Sequence, residues 1–415
     1  MSPDIIIWII AVFSIAGILL RPFHLPEAVW VVAASFLLLL LHLILPSDAL
    51  AGIEKGTDVY LFLTGMMLLA EIAREEQLFD WLAAHATRRA NGSGTRLFLM
   101  IYVVGILVTI FLSNDATAVV LTPAVAAITK LAKVKKPLPY LYICAFIANA
   151  ASFVLPISNP ANLVIYGTSI PPLGLWLSHY FLPSLLAICI TYFLLYATQR
   201  KKIMDPIDRN ILVPPLSKGG KTAGIGIIVT AILLLISSAY GFPLGSITAI
   251  AGVITTIVVL IISGNSPGKI VKGISWSVLP LVAGLFVIVE ALNKTGIIAA
   301  MSKMVNNSAE KSVTLTAWCS GTFIAIISNV TNNLPAGLIA GNVIHTANAP
   351  NLIKDFILIG VDLGPNLSVT GSLATILWLV ALRREGENIN AFTFFKLGII
   401  IMLPALFAAF AVLMI

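Results

Sequence analysis

Three consecutive polar residues interrupt an apolar stretch of the chain. Ser113, Asn114 and Asp115 lie in FLSNDATAVVLTP (111–123), among neighbours that are mostly Val, Leu, Ile and Phe. Hydroxyl and amide groups donate and accept hydrogen bonds, and a carboxylate can also carry a proton. Such groups are costly in apolar surroundings unless they are paired. The stretch therefore predicts a site for a polar solute or a proton.

The composition places these groups in a membrane protein. Of the 415 residues, 59% are hydrophobic and 10% are charged, and the mean hydropathy is +1.01. Because soluble domains carry about 25% charged residues, we expect an all-α protein that crosses the lipid bilayer of the cell (inner) membrane many times. The net charge of +7 is explained by basic loops on one membrane face. A nucleic-acid partner is not expected.

Eight apolar segments of spanning length are uninterrupted, and four others are broken by polar residues, Pro and Gly. The uninterrupted spans are predicted at 5–20, 27–45, 58–73, 176–198, 223–240, 243–263, 273–291 and 394–415. The interrupted segments are 97–130, 138–167, 313–344 and 352–380. Irregular backbone at membrane depth is tolerated only where it is buried in protein or lines a watery cavity. The four breaks therefore predict a substrate site near the middle of the membrane.

The second half of the chain repeats the pattern of the first. GMMLLAE (65–71) matches GLFVIVE (284–290), and Ser113-Asn114 aligns with Ser328-Asn329. We interpret the first and third interrupted segments as re-entrant hairpins and the second and fourth as broken helices. Each half then crosses five times, which gives about ten transmembrane helices in two inverted repeats. The repeats are predicted at 1–198 and 223–415, joined by a cytoplasmic linker at 199–222.

The basic residues orient this arrangement in the membrane. With the N-terminus outside, all but five of the 25 Lys and Arg residues lie on the cytoplasmic side. Because cytoplasmic loops are enriched in Lys and Arg, both termini are predicted to be extracytoplasmic. In a twelve-span alternative each interrupted segment crosses fully, and the basic loops would scatter over both faces.

The breaks supply the candidate site residues. The substrate-binding set consists of side chains with hydroxyl or amide groups: Ser113, Asn114, Asn159, Asn162, Asn329, Asn332, Asn333, Asn366 and Thr370. Asp115 and Asp362 are the proton-coupling candidates, because an Asp within a span costs about 2.5 to 3.5 kcal/mol. Glu71 and Glu290 hold matching positions near span ends and are further candidates. The breaks contain no Lys or Arg, which favours a small neutral polyhydroxyl solute or a cation.

These motifs resemble those of a known family. SNDATAVVLTPAV, ISNPANL, SNVTNNLPAG and GVDLGPNLSVTGSLATILWL are similar to signatures of the arsenite and antimonite efflux permeases, the ArsB family of the ion transporter superfamily. The resemblance implies export of trivalent arsenic or antimony, driven by proton entry or, in some members, with a cytoplasmic ATPase partner. It also implies a scaffold at 1–92 and 223–310 and a moving transport part at 93–198 and 311–415. Val361 stands where the family often has Cys, so no thiol ligand for arsenic is expected there.

Other functions stay open at this point. SND and SNV also resemble the hairpin tips of dicarboxylate carriers, and a sodium/proton antiporter or a silicic-acid carrier fits the same groups. A channel would use the hairpins to form a pore. A membrane enzyme is least expected, because neither a nucleophile–base pair nor a metal-ligand cluster is found. Without a Walker motif the chain is not expected to hydrolyse ATP itself. No cofactor, permanent metal site or oligomeric state is predicted.

Overall fold

The computed structural model describes residues 2–167, 170–209, 211 and 213–415. Met1, Thr168, Ser169, Asn210 and Leu212 lie outside the described residues, within the predicted first repeat and linker. The described residues form 21 α-helices with short 3₁₀ and π segments between them. This confirms the prediction of an all-helical protein.

The first half of the chain runs from α1 to α11. Its first helices are α1 (Pro3–Leu20), α2 (Glu27–Leu40), α3 (Pro46–Lys55), α4 (Thr57–Glu75) and the amphipathic α5 (Leu78–Ala90). A helical hairpin follows, made of α6 (Gly94–Phe111), α7 (Asn114–Ala116), a π-helical segment (Thr117–Leu121) and α8 (Thr122–Leu131). The broken helix consists of α9 (Leu138–Ala150) and α10 (Pro160–Tyr166), and α11 (Leu173–Ile203) ends this half.

The second half has the same order of elements. It begins with α12 (Lys218–Ala239), α13 (Leu244–Ser263), α14 (Pro267–Gly273), α15 (Val278–Lys294) and α16 (Ile297–Lys311). The second hairpin consists of α17 (Val313–Thr331) and α18 (Asn333–Thr346). The broken helix of this half is α19 (Asn351–Leu363), a 3₁₀ turn (Gly364–Leu367) and α20 (Leu373–Arg384), followed by α21 (Ala391–Val412). The element order agrees with the predicted repeat, and the inverted relation of the halves stays a prediction.

Seven described helices are long and apolar enough to cross a membrane, or nine if each of two bent pairs counts as one span. The bent pairs are α3 with α4, at 51°, and α14 with α15, at 40°. The helices that begin the two hairpins, α6 and α17, are among the seven, and α2 and α9 are shorter. The ten-span count and the re-entrant hairpins therefore stay predictions.

The predicted linker is shorter in the structure than in the sequence interpretation. Helix α11 continues to Ile203 and α12 begins at Lys218, so helix occupies both ends of the predicted segment 199–222. Gln, Arg and Lys are good helix formers, and the basic residues Arg200 to Lys202 are favourable at the negative end of the helix dipole. For this reason a prediction from hydropathy alone ends the span at 198, whereas α11 continues to Ile203.

One glycine in each half brings a helix close to the other half. A Cβ added at Gly65 of α4 would overlap the carbonyl oxygen of Thr248 in α13. Gly284 of α15 lies against α2, where an added Cβ would be 2.7 Å from Val31 Cγ1. Ser35 Oγ of α2 also donates a hydrogen bond to the Gly284 carbonyl oxygen at 3.0 Å. Because small residues let helices approach closely in membranes, these matching positions join the two halves.

Replacing Gly65 by Ala is expected to lower the thermal midpoint of the purified protein in detergent. The added methyl group must push α4 away from the backbone of α13, and overpacking of this kind costs about 1 to 3 kcal/mol. The matched control is Gly174→Ala in α11, where no atom of the described residues lies within 4 Å of the added Cβ. A Gly65→Ala protein as stable as the control would contradict the close packing.

Candidate functional site

The first polar run forms the tip of the first hairpin. Ser113 has a φ of 144°, and its Oγ accepts a hydrogen bond from the Ala116 N–H at 3.3 Å, so Ser113 caps α7. The buried Asn114 accepts a hydrogen bond from the Asp115 N–H through Oδ1 at 2.9 Å. The π-helical segment that follows is of a kind often found at functional sites.

The tip of the second hairpin lies at Asn332. This residue has a φ of 73°, and its Oδ1 accepts a hydrogen bond from the Leu334 N–H at 3.3 Å, so it caps α18. Ser328 and Asn329 lie in the last turn of α17. The structural equivalents of Ser113-Asn114 are therefore Asn332-Asn333, and not Ser328-Asn329 as the sequence alignment predicts. The alignment matched residue types, whereas the equivalence is set by which residue precedes the second helix of each hairpin.

The two broken helices meet through buried side-chain amides. Asn149 Nδ2 donates to Asn366 Oδ1 at 3.0 Å, and Ser372 Oγ donates to Asn149 Oδ1 at 3.2 Å. Asn159, which also caps α10, donates from Nδ2 to Asp362 Oδ1 at 2.7 Å. The breaks of the two halves therefore share one buried polar network, which contains the predicted residues Asn159, Asp362 and Asn366.

Other predicted substrate-binding residues bond to the backbone of the breaks. Asn162 Nδ2 donates to the Ser152 carbonyl oxygen at 3.0 Å. Asn329 Nδ2 donates to the Gly364 carbonyl oxygen at 3.0 Å, and the Thr370 hydroxyl donates to the Asn329 carbonyl oxygen at 3.1 Å. An unpaired carbonyl in hydrocarbon costs several kcal/mol. In this conformation these side chains stabilise the breaks.

A cavity of about 80 Å³ lies beside the first hairpin tip. Ser113 and Asp115 line it from the tip, and Pro160 and Leu373 line it from the starts of α10 and α20. Its other wall consists of residues from α4 and from the segment between α14 and α15: Phe62, Leu63, Met66, Met67, Ala70, Glu71, Gly273, Ile274, Ser275 and Val278. The cavity thus lies between segments predicted to move and segments predicted to stay fixed.

The lining carries two carboxylates and, among the described residues, no Lys, Arg or His. Glu71 accepts hydrogen bonds from Arg74, at 2.6 Å from Nη2 and 2.9 Å from Nε. The Asp115 carboxylate has no hydrogen-bond or ionic partner in the part of the chain that the structure describes. Since about 10 to 15 Å³ holds one water, this cavity has room for a polar solute of a few non-hydrogen atoms.

A second cavity, of about 310 Å³, shares the lining residue Val120 with this one. Its polar lining comes from Arg74, Glu75, Gln77 and Asp80. These residues lie on the side that the basic-residue pattern predicts to be cytoplasmic.

Glu71 and Glu290 have matching surroundings in the two halves. Glu290 accepts a hydrogen bond from Lys55 Nζ at 2.7 Å, as Glu71 does from Arg74. Each also lies against a glycine of the other half's short helix, Gly52 for Glu290 and Gly273 for Glu71. Both carboxylates are therefore held in ion pairs, and Glu71 additionally borders the cavity.

Sequence reasoning missed several polar residues of this region. Asn149 and Ser372 belong to the buried network, and Ser275 lines the cavity. Asn149 was detectable as an amide inside the apolar run FIANAAS (146–152). No group of three or more His, Cys, Asp or Glu side chains able to hold a metal ion occurs within the described ranges.

Comparison with known proteins identifies the family. Residues 5–361 match the CitMHS family, described as a citrate transporter. An arsenical pump membrane protein of Yersinia enterocolitica is 31% identical over 363 residues, which cover 84% of each chain, and one of Escherichia coli has the same identity and coverage. The crystal structure of the Alcanivorax borkumensis YdaH transporter matches the fold with a TM-score of 0.58 at 15% identity, over 88% of this chain and 86% of that one. This chain is therefore a multi-pass membrane transporter of the CitMHS family and belongs, within the ion transporter superfamily, to the ArsB-type arsenical pump membrane proteins.

Proposed function

We propose that this chain exports trivalent arsenic or antimony from the cytoplasm as a neutral hydroxide, in exchange for protons. The observation that carries the proposal is the cavity of about 80 Å³ beside Asp115, which offers hydroxyl and carboxyl groups and no basic side chain. Arsenous acid at neutral pH is a small, uncharged trihydroxide. Relatives of this chain are named arsenical pump membrane proteins, which supports the same cargo class here.

Ser113 and Asp115 are the proposed cargo ligands. An ionised carboxylate accepts hydrogen bonds only, and a Ser hydroxyl both donates and accepts. The Asp115 carboxylate thus accepts hydrogen bonds from cargo hydroxyl groups, and Ser113 donates one to a cargo oxygen. Hydrogen bonds to an ionised group are roughly twice as strong as neutral ones, so ionised Asp115 favours binding.

A citrate anion is the weaker candidate cargo. Citrate carries several negative charges at neutral pH, and the cavity presents the carboxylates of Asp115 and Glu71 without a basic residue among its described lining. Like charges brought together at a binding site cost several kcal/mol. The same reasoning applies to a dicarboxylate, whereas silicic acid, a neutral polyol, fits the same groups.

Sodium/proton antiport is the second candidate function, favoured by the unpaired Asp115 carboxylate. Hard cations take oxygen ligands, and Ser113 and Asp115 supply them. Such a protein would release protons in response to sodium and give no response to arsenite.

Protonation of Asp115 supplies the proposed coupling. Ionised Asp115 binds cargo from the cytoplasm, and a proton arriving from outside removes that acceptor and promotes release. One charge crossing 100 mV releases about 2.3 kcal/mol, which holds roughly a fiftyfold gradient of a neutral solute at about 1.4 kcal/mol per tenfold. Asp362 is the second proposed proton carrier, since its buried Oδ2 has no partner in the described part of the chain. A cytoplasmic ATPase partner, implied by the family resemblance, would add the free energy of ATP hydrolysis to that of proton entry.

Replacing Asp115 by Asn is expected to reduce proton-driven arsenite uptake into everted vesicles by about tenfold or more, because the amide neither ionises nor carries a proton. The matched control is Asp205→Asn, an exposed carboxylate 3.8 Å from Lys135 and outside the cavity lining. Undiminished uptake by the Asp115→Asn protein would remove this residue from the coupling step.

Arsenite and antimonite are expected to raise the thermal midpoint of the purified protein, and citrate is not. A ligand at 100 times its Kd stabilises the folded state by about 2.7 kcal/mol. Asp115→Asn should lose most of this protection while keeping the midpoint of the unliganded protein. Protection by citrate and none by arsenite would contradict the proposed cargo.

A further inference from the structure

A second cluster of ionisable side chains lies apart from the cavity described above. The Asp355 carboxylate, on α19, has Oδ2 at 2.8 Å from His179 Nδ1 of α11. Its Oδ1 accepts a hydrogen bond from the Tyr180 hydroxyl at 2.7 Å and lies 3.5 Å from the Tyr166 hydroxyl of α10. The two tyrosine hydroxyls are themselves 2.7 Å apart. Two helices, α10 and α11, therefore direct polar groups at one carboxylate of α19 that the proposed coupling has not used.

This cluster opens onto its own cavity of about 280 Å³. His179, Tyr180, His345, Lys354 and Asp355 are among the residues that line it. The His179 side chain is 30% exposed, whereas that of Asp355 is 6% exposed. His179 thus connects an open cavity to a buried carboxylate, on the face predicted to be extracytoplasmic.

Asp355 of this cluster lies on the same face of α19 as the buried Asp362. Asp355 and Asp362 lie on the same helix two turns apart, so they share a face and are separated by about 10 Å along the axis. Helix α10 contacts both, because Tyr166 approaches Asp355 and Asn159 donates to Asp362. Between these two contacts, Asn162 carries a buried Oδ1 without a partner in the described residues. Polar side chains on or capping α10 therefore lie near both carboxylates of α19.

We propose that His179 and Asp355 form the outer proton-binding site of this transporter and deliver protons to Asp362. The inference rests on the proposed proton-coupled function and adds where the protons enter. A proton from water in the outer cavity binds His179 Nε2, and the proton on Nδ1 passes to Asp355 Oδ2. His179 is left neutral and Asp355 is left protonated, and water between α10 and α19 would carry that proton the remaining ~10 Å to Asp362.

Few ionisable side chains lie on the helices packed around Asp355. Helix α17 contains no Asp, Glu, His, Lys or Arg, α9 contains no charged residue, and α21 contains only Lys396, near its opposite end. Helix α18 brings His345 to the shared cavity, and Lys354 is adjacent on α19. The proton balance of the site is therefore set by His179, His345, Lys354 and the two tyrosines.

This cluster is not a contact that holds the predicted moving part to the predicted scaffold. Asp355, His179 and Tyr166 all lie in segments predicted to move together, at 93–198 and 311–415. A contact of that kind would need a partner in the predicted scaffold. Their hydrogen bonds instead stay intact during the predicted motion, as a proton site that moves with the cargo requires.

The test compares two kinds of arsenite flux in proteoliposomes. Exchange, with arsenite on both sides and no pH gradient, requires cargo binding and movement only. Asp355→Asn is expected to retain exchange and to lose accumulation driven by a pH gradient by about tenfold or more. His179→Gln should lose accumulation in the same way. The control is Asp48→Asn, a carboxylate on the same predicted side that pairs with Lys294, and it should match wild type in both fluxes.

Two flux results would overturn the proposal. Equal loss of exchange and accumulation in Asp355→Asn would show a structural role, and wild-type values of both would show no role.

A readout without cargo separates this inference from the proposed function. Infrared difference spectra of the lipid-embedded protein between acidic and neutral pH should contain a carboxylic-acid component that Asp355→Asn removes. If that component is lost in Asp355→Asn but the wild type moves no arsenite, the proton site stands and the proposed cargo is wrong. If the spectrum is unchanged by Asp355→Asn, the proton site is wrong whatever the cargo.

Discussion

Helices that stop inside a membrane release backbone N–H and C=O groups, and these must find partners within the protein. The organisation of this transporter depends on that constraint. Asn162 and Asn329 donate to carbonyl oxygens released at the breaks of the two broken helices, and Asn149 and Asn366 join those breaks to each other. The second hairpin is tied to the second break by the Asn333 N–H, which donates to the Gly371 carbonyl oxygen at 2.9 Å. The breaks thus support one another.

This use of the amides leaves few polar groups free for a cargo. Asn159 caps a helix and binds Asp362, and Asn366 is engaged on both sides of its amide. Asp115 differs because its carboxylate lies at a cavity without a partner among the described residues. In the proposed mechanism the amide network is a rigid support, and the chemistry of binding and release falls to the first hairpin tip.

Hydropathy and motif spacing predicted much of the architecture. The helix order of both halves, the hairpin tip at Ser113 and the matching places of Gly65 and Gly284 all follow from local pattern. Helix ends were less predictable, since α11 continues through Lys201 on helix propensity and not on hydropathy. The Asp355 cluster was missed because its members lie far apart in sequence and inside regular helices. Only tertiary packing brings His179 to 2.8 Å from that carboxylate.

The proposed mechanism depends most directly on where the cargo binds. Antimony scatters X-rays anomalously, so a crystal of the protein grown with antimonite would reveal the bound atom directly. We expect one dominant anomalous peak within hydrogen-bonding reach of Asp115, between the first hairpin tip and α4. A peak beside Asp355 in the outer cavity or beside Asn329 at the second hairpin, with none near Asp115, would contradict it.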